Sequence, residues 1–170
     1  APPVILAQLA GICREENCTV NFLLTSDVSK ISPDTDIAIV LSSMADYHNE
    51  LNFLQNLKSK LPKIKTVVVG SFASAMPEIY KQHADLILTG SSERGLAQIL
   101  KEGFPSKQVL FSNDVEDINT LPMLDWTPFI SSNYFAKRPF SKDNGVCIQK
   151  SRGCSMTCNY CPYASFYGRA

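Results

Sequence analysis

The chain has 170 residues, 45% apolar and 19% charged, with 16 basic and 16 acidic side chains and no formal net charge. That composition suits one full domain plus part of another, and the balanced charge gives no electrostatic grip on nucleic acid or on an anionic membrane. The longest apolar runs fall far short of the ~20 residues of a membrane span, and Ala1-Pro2-Pro3 lacks the basic stretch that opens a signal peptide.

In chain order, residues 4–16 predict a helix with Ile5, Leu9 and Ile12 on one face and Asn17 placed to cap its end. Residues 18–24 (CTVNFLL) predict a strand. Residues 36–43 (DIAIVLSS) form a near-continuous apolar run, as expected of a strand buried on both faces of a parallel sheet. A helix follows over 47–60, with Leu51, Leu54, Leu57 and Leu61 inward, and then a second buried strand over 64–70. The pattern continues with a helix near 75–82, Pro77 standing in its first turn, and a strand over 85–90. Ser92 is placed to cap a helix over 93–102 that Gly103 ends, and 108–112 reads as a short last strand.

Strands alternating with helices indicate an α/β fold with a doubly wound parallel sheet. Ligands of such sheets bind beyond the carboxyl ends of the strands. The small and polar residues there are Ser42, Ser43, Gly70, Ser71, Gly90, Ser91, Ser92 and Glu93. Gly70 and Gly90 permit close backbone approach by a bulky ligand, and they equally suit tight strand-to-helix turns. Residues 113–144, punctuated by Pro122, Pro128 and Pro139 and containing Asp125-Trp126, read as an interdomain linker. A new strand is expected over 145–150, opening a region, 145–170, that can begin a second domain.

Six cysteines are present, and three of them, Cys154, Cys158 and Cys161, fall within eight residues with the spacing CxxxCxxC. Clustered thiols point to a metal site in a reducing compartment, hence to the cytoplasm. Thiolates are soft ligands suited to iron–sulfur clusters or to zinc. Three sulfurs on one short loop can hold three irons of a cubane and leave the fourth iron open, much as a catalytic zinc keeps one position free. Structural zinc needs a fourth ligand, which Cys147 can supply; between Val146 and Ile148, Cys147 also reads as a small packed hydrophobe. Low-potential ferredoxins use CxxCxxC with a further Cys-Pro, and disulfides within so short a loop would be strained and leave an odd thiol. Cys13 and Cys18 read as residues of the α/β core, and His48 and His83 as surface residues.

The stretch QKSRGCSMTCNYCPY resembles the signature of radical S-adenosylmethionine enzymes, with Tyr160 at the aromatic position before the last cysteine. Ser151-Arg152-Gly153 ahead of it resembles the subgroup in which a cobalamin-binding domain precedes the radical barrel. Leu41-Ser42-Ser43-Met44, Val69-Gly70-Ser71, Gly90-Ser91-Ser92-Glu93 and Leu121-Pro122 with Asp125-Trp126 resemble further marks of that subgroup. Ser71 replaces the second glycine of its usual Gly-Gly pair, and Ser91 and Ser92 depart from its Gly-Glu-Gly-Glu turn.

The resemblance implies a Rossmann-like cobalamin-binding domain over 1–112, lacking its first strand, a linker over 113–144, and the start of a radical (β/α) barrel over 145–170. It implies a fragment that is inactive alone and belongs to an enzyme of methyl transfer or a related radical rearrangement. Cys154, Cys158 and Cys161 would ligate a 4Fe–4S cluster, and Tyr160 would contact the adenine of S-adenosylmethionine. Ser42, Ser43, Gly70, Ser71, Gly90 and Glu93 would border cobalamin. The implied partners are a small-molecule substrate and an electron donor such as flavodoxin or ferredoxin. An α/β domain that binds no cobalamin, and a non-enzymatic module with structural zinc, are the competing expectations.

Overall fold

The structure is a computed structural model that describes residues 3–112, 117–132, 134, 136–137, 144–149 and 151–159. In chain order its elements are α1 (Val4–Glu15), β1 (Ile37–Leu41), α2 (Tyr47–Lys60), β2 (Lys65–Val69), α3 (Ser71–Ala75), β3 (Leu86–Gly90), α4 (Ser92–Glu102), β4 (Val109–Ser112), α5 (Thr127–Ser131), β5 (Ala136–Lys137) and β6 (Asn144–Gly145). Single 3-10 turns occur at Val28–Lys30, Pro77–Ile79 and Ile118–Thr120. The chain divides into two compact units, residues 24–113 and residues 1–23 with 114–170. This division groups the first helix with the segment that follows the sheet.

In unit 24–113, β1 to β4 form a four-stranded sheet in the order β1-β2-β3-β4, all parallel. Successive strand residues face opposite sides of a sheet. Val68 and Ile87 pack with Leu54 of α2, Ala73 of α3 and Tyr80, with Val40 and Val109 at the margin of the same cluster. Val67, Val69, Leu86 and Leu88 face the other way and are also buried. Gly95 of α4 lies against Leu88 on that side. Helices thus cover both faces, which is why these strands read as unbroken apolar runs rather than as alternating ones. The amino ends of β2 and β3 are tied by Asp85, whose carboxylate accepts from the Thr66 amide and hydroxyl, each at 2.9 Å.

In the other unit, residues 7–13 of α1 are buried around the whole helix. The segment after residue 120 lies along it. Gln8 Nε2 donates to the Pro122 carbonyl at 2.7 Å, and the Asp125 amide donates to the Ala7 carbonyl at 2.9 Å. Gly11 leaves the space that the Met123 carbonyl fills. Asp125 then accepts from the Thr127 amide at 2.9 Å and lies 3.7 Å from Arg14, fixing the start of α5, where Pro128 occupies the first turn.

Four local expectations are corrected. Residues 18–24 form no strand: Phe22 packs its ring on Phe129 and Tyr134, at centroid distances of 4.4 and 5.2 Å, while Leu23 and Leu24 are exposed. The helix expected near 75–82 instead spans Ser71–Ala75, and a 3-10 turn follows at Pro77–Ile79. Met76, forced out of helical geometry by the proline after it, stands at φ −132° and ψ 56° between the two. The N-cap of α4 is Ser91, not Ser92, and its hydroxyl bonds the Glu93 carboxylate rather than a backbone amide. Of the strand expected over 145–150, Gly145 alone is in a strand, β6, which pairs antiparallel with β5; residues 146–149 are irregular, with Val146 and Ile148 exposed. Lys150 lies outside the described residues. Among the described residues, no helix is long and apolar enough to cross a membrane.

Candidate functional site

Two regions carry the candidate site residues, and each belongs to its own unit. The first is the carboxyl edge of the parallel sheet. Ser42 follows β1 and is buried, and its Oγ accepts the Ala73 amide of α3 at 2.9 Å. Gly70 follows β2 at φ 111°, a conformation that favours glycine. A Cβ there would lie 2.9 Å from Ser42 Oγ and 3.0 Å from Leu41 Cδ1. Ser74 donates to the Gly70 carbonyl at 2.9 Å and accepts the Gly90 amide at 3.3 Å, joining the ends of β2 and β3. Gly90 stands at φ 76°, and a Cβ on it would overlap the Ser112 carbonyl oxygen. That carbonyl accepts the Ser91 amide at 3.0 Å. The strand ends are therefore closed by the chain's own hydroxyls and carbonyls. Of the two readings of Gly70 and Gly90, tight turning and close backbone packing account for both.

Exposure at this edge falls to Ser43, Met44, Ser71 and Phe111. Met44 is 75% and Phe111 69% exposed. Glu93, in the first turn of α4, is 2% exposed and accepts from Ser91 Oγ at 3.2 Å. Its carboxylate sits where the positive end of the helix dipole favours an anion.

Two further residues shape this edge and carry no motif that marks them. Glu50 of α2 accepts the Ser43 amide on Oε1 at 2.8 Å and the Tyr80 hydroxyl on Oε2 at 2.5 Å. Burial raises the Glu50 carboxyl above its ordinary range; the two hydrogen bonds oppose that shift, and the charge of Asp46 adds to it. Burial and the neighbouring Glu50 likewise push the Tyr80 hydroxyl upward. The signal available in the sequence was a lone glutamate one turn into a leucine-faced helix, a pattern that reads as a solvated position.

The second region is the cysteine loop. Residues 151–159 are irregular, Cys154 is half-buried, and Cys158 is exposed. Both thiols are free of disulfides, as are Cys13, Cys18 and Cys147. Cys161 and Tyr160 lie outside the described residues. Among the described residues no three His, Cys, Asp or Glu side chains converge as a metal-ligand group. An irregular loop bearing two thiols free of disulfides, one of them exposed, can offer soft ligands to an iron–sulfur cluster or to zinc. Cys147 is half-buried in an irregular stretch rather than in a strand. His48 is exposed, whereas His83 is half-buried, and its Nδ1 finds no hydrogen-bond partner among the described residues. Cys13 is buried as expected, but Cys18 is exposed.

No family model matches the chain, and no curated protein does. A solved structure, the N-terminal domain of a hypothetical protein from Thermotoga maritima, is similar with a TM-score of 0.50 and 18% identity. The match covers 63% of this chain and 88% of that one. At that identity the likeness defines the fold alone. The chain carries an α/β fold with a four-stranded, all-parallel sheet, consistent with a Rossmann-like arrangement.

Proposed function

We propose that this chain serves a radical S-adenosylmethionine enzyme whose α/β unit binds cobalamin and whose cysteine loop binds a 4Fe–4S cluster. The observation that carries the reading is the CxxxCxxC spacing of Cys154, Cys158 and Cys161. The free thiols of Cys154 and Cys158, the latter exposed, support it. When bound, the cluster supplies the electron that cleaves S-adenosylmethionine, and cobalamin supplies a methyl carrier. The chain's own part is to hold three irons through three thiolates, to seat the adenine against Tyr160, and to present Met44 and Phe111 as an apolar rim at the strand ends. Methyl transfer to an unactivated carbon, or a related rearrangement, is the reaction class. A cytoplasmic location and a flavodoxin or ferredoxin donor accompany it.

Anaerobic reconstitution with iron and sulfide tests the reading. The expected result is a broad visible charge-transfer absorption that disappears in the Cys154→Ala, Cys158→Ala, Cys161→Ala triple variant. Persistence of the absorption in that variant, or zinc bound without iron and sulfide, would overturn it.

A second reading, in which the α/β unit docks substrate or partner and binds no cobalamin, is favoured by one observation. Gly70, Gly90, Ser42 and Ser74 are already committed to the fold's own contacts. Titration with hydroxocobalamin separates the two readings: saturable tight binding removes the second, and no spectral change removes cobalamin from the first.

A further inference from the structure

Helix α1 ends in a tightly specified turn. Asn17 adopts the left-handed conformation at φ 58°. The Asn17 amide donates to the Arg14 carbonyl at 3.0 Å, and the Cys18 amide to the Cys13 carbonyl at 2.8 Å. These two bonds define a Schellman motif, in which the side chains three residues before the cap and two after it come into contact. Those positions usually carry apolar residues, and here both are cysteine. One N–H···O=C bond of 2.8 Å between the two residues keeps their Cα atoms within about 6 Å by ordinary covalent dimensions. That separation lies inside the ~4.4–6.8 Å that a disulfide spans. The two members differ in access, since Cys13 is 8% exposed and Cys18 is exposed, with its Sγ 3.7 Å from the Glu16 carbonyl.

We propose that Cys13 and Cys18 are a reversible redox pair that closes into a disulfide across the end of α1 when a small disulfide oxidant such as oxidised glutathione is present. The exposed Cys18 reacts first. Its thiolate attacks one sulfur of the oxidant, forming a mixed disulfide and expelling one glutathione thiolate. Cys13 then loses its proton to solvent and attacks Cys18 Sγ. The protein disulfide forms, and the second glutathione leaves as thiolate. Two protein thiols are oxidised, one disulfide is reduced to two glutathione molecules, and the electrons balance. Burial, with the charge of Cys18 adding to it, holds the Cys13 thiol up at about 11, so the second step is the slow one and accelerates with base. The site is independent of the cysteine loop and of the function proposed above.

The whole chain tests this directly. Arg14 lies between the two cysteines, so trypsin separates residues 1–14 from 15–30 unless a disulfide joins them. The folded protein is incubated with oxidised glutathione, free thiols are alkylated, and the tryptic digest is weighed with and without reductant. The expected product is 1–14 linked to 15–30, lost on reduction, and it forms from the mixed disulfide about tenfold faster per pH unit between pH 7 and 9. Cys18 left carrying glutathione beside an alkylated Cys13, or either cysteine joined instead to Cys147, Cys154, Cys158 or Cys161, would overturn the proposal. A resolution rate that ignores pH would overturn the assignment of Cys13 as the attacking thiol.

Discussion

The carboxyl edge of the sheet and the cysteine loop make opposite use of their polar groups. At the sheet edge, Ser42 and Ser74 satisfy backbone amides, and Gly70 and Gly90 make room for neighbouring backbone and side chain. In the loop, Cys154 and Cys158 form no disulfide, and no helix or strand incorporates them. A short motif at a place where the fold already consumes each residue is weak evidence for a ligand, because packing alone explains it. A motif whose residues the fold leaves unused asks for a binding partner. The cysteines therefore carry the functional reading, and the strand-end glycines do not.

The sharpest way to break that comparison is Gly90→Ala. The added methyl would overlap the Ser112 carbonyl and impose a positive φ on alanine. Strain and forced movement together should cost about 3–4 kcal/mol in urea unfolding. A loss under 1 kcal/mol would show that the glycine is free for a ligand after all. Ser42→Ala comes next. It leaves the buried Ala73 amide without its acceptor, at a cost of about 1–3 kcal/mol. An unchanged unfolding midpoint would return Ser42 to the list of contacts available to cobalamin.

Much of unit 24–113 was legible because its information is local. The apolar runs at 37–41, 65–69 and 86–90 and the leucine stripe of α2 each carry their own period. What stayed hidden depends on residues far apart in the chain. Phe22 has strand-like neighbours, yet its partners Phe129 and Tyr134 lie more than a hundred residues on. Gln8 and Ala7 look like ordinary helix positions until Pro122 and Asp125 dock on them. The pairing of Glu50 with Tyr80 spans thirty residues, and neither belongs to a motif. At the cysteine loop the CxxxCxxC spacing of Cys154, Cys158 and Cys161 is readable directly from the sequence, because it needs no tertiary partner to be seen.

Glu50 sharpens the comparison through pH. Its folded-state carboxyl is raised, chiefly by burial. Its contribution is therefore fully present below the unfolded value of about 4.3 and is lost as pH rises through the higher folded value. Unfolding free energy followed across that window should fall for this group, and Glu50→Gln should flatten the fall. Tyr80→Phe removes one donor to the carboxylate and should cost about 1–1.5 kcal/mol near neutral pH. A Glu50→Gln curve that parallels wild type would mean that burial does not raise the carboxyl.

The smallest expected effect belongs to the other unit and has the reverse sign. Burial raises the Asp125 carboxyl, but the hydrogen bonds from Thr127 and the Arg14 guanidinium outweigh it and leave the group below its ordinary value. A lowered carboxyl contributes stability above the unfolded Asp value of about 3.9, and that stability disappears as pH falls through the folded value. Arg14 is mostly exposed and 3.7 Å away, so its share is that of a screened surface pair, about 0.5 kcal/mol. Arg14→Ala should lower the unfolding free energy by about 0.5 kcal/mol above the unfolded Asp value, and the difference should vanish as pH falls through the folded value. Raising the salt concentration should abolish the difference between variant and wild type, since the hydrogen bonds from Thr127 do not depend on screening. If the difference survives high salt, Arg14 acts through its packing on α1 rather than through charge.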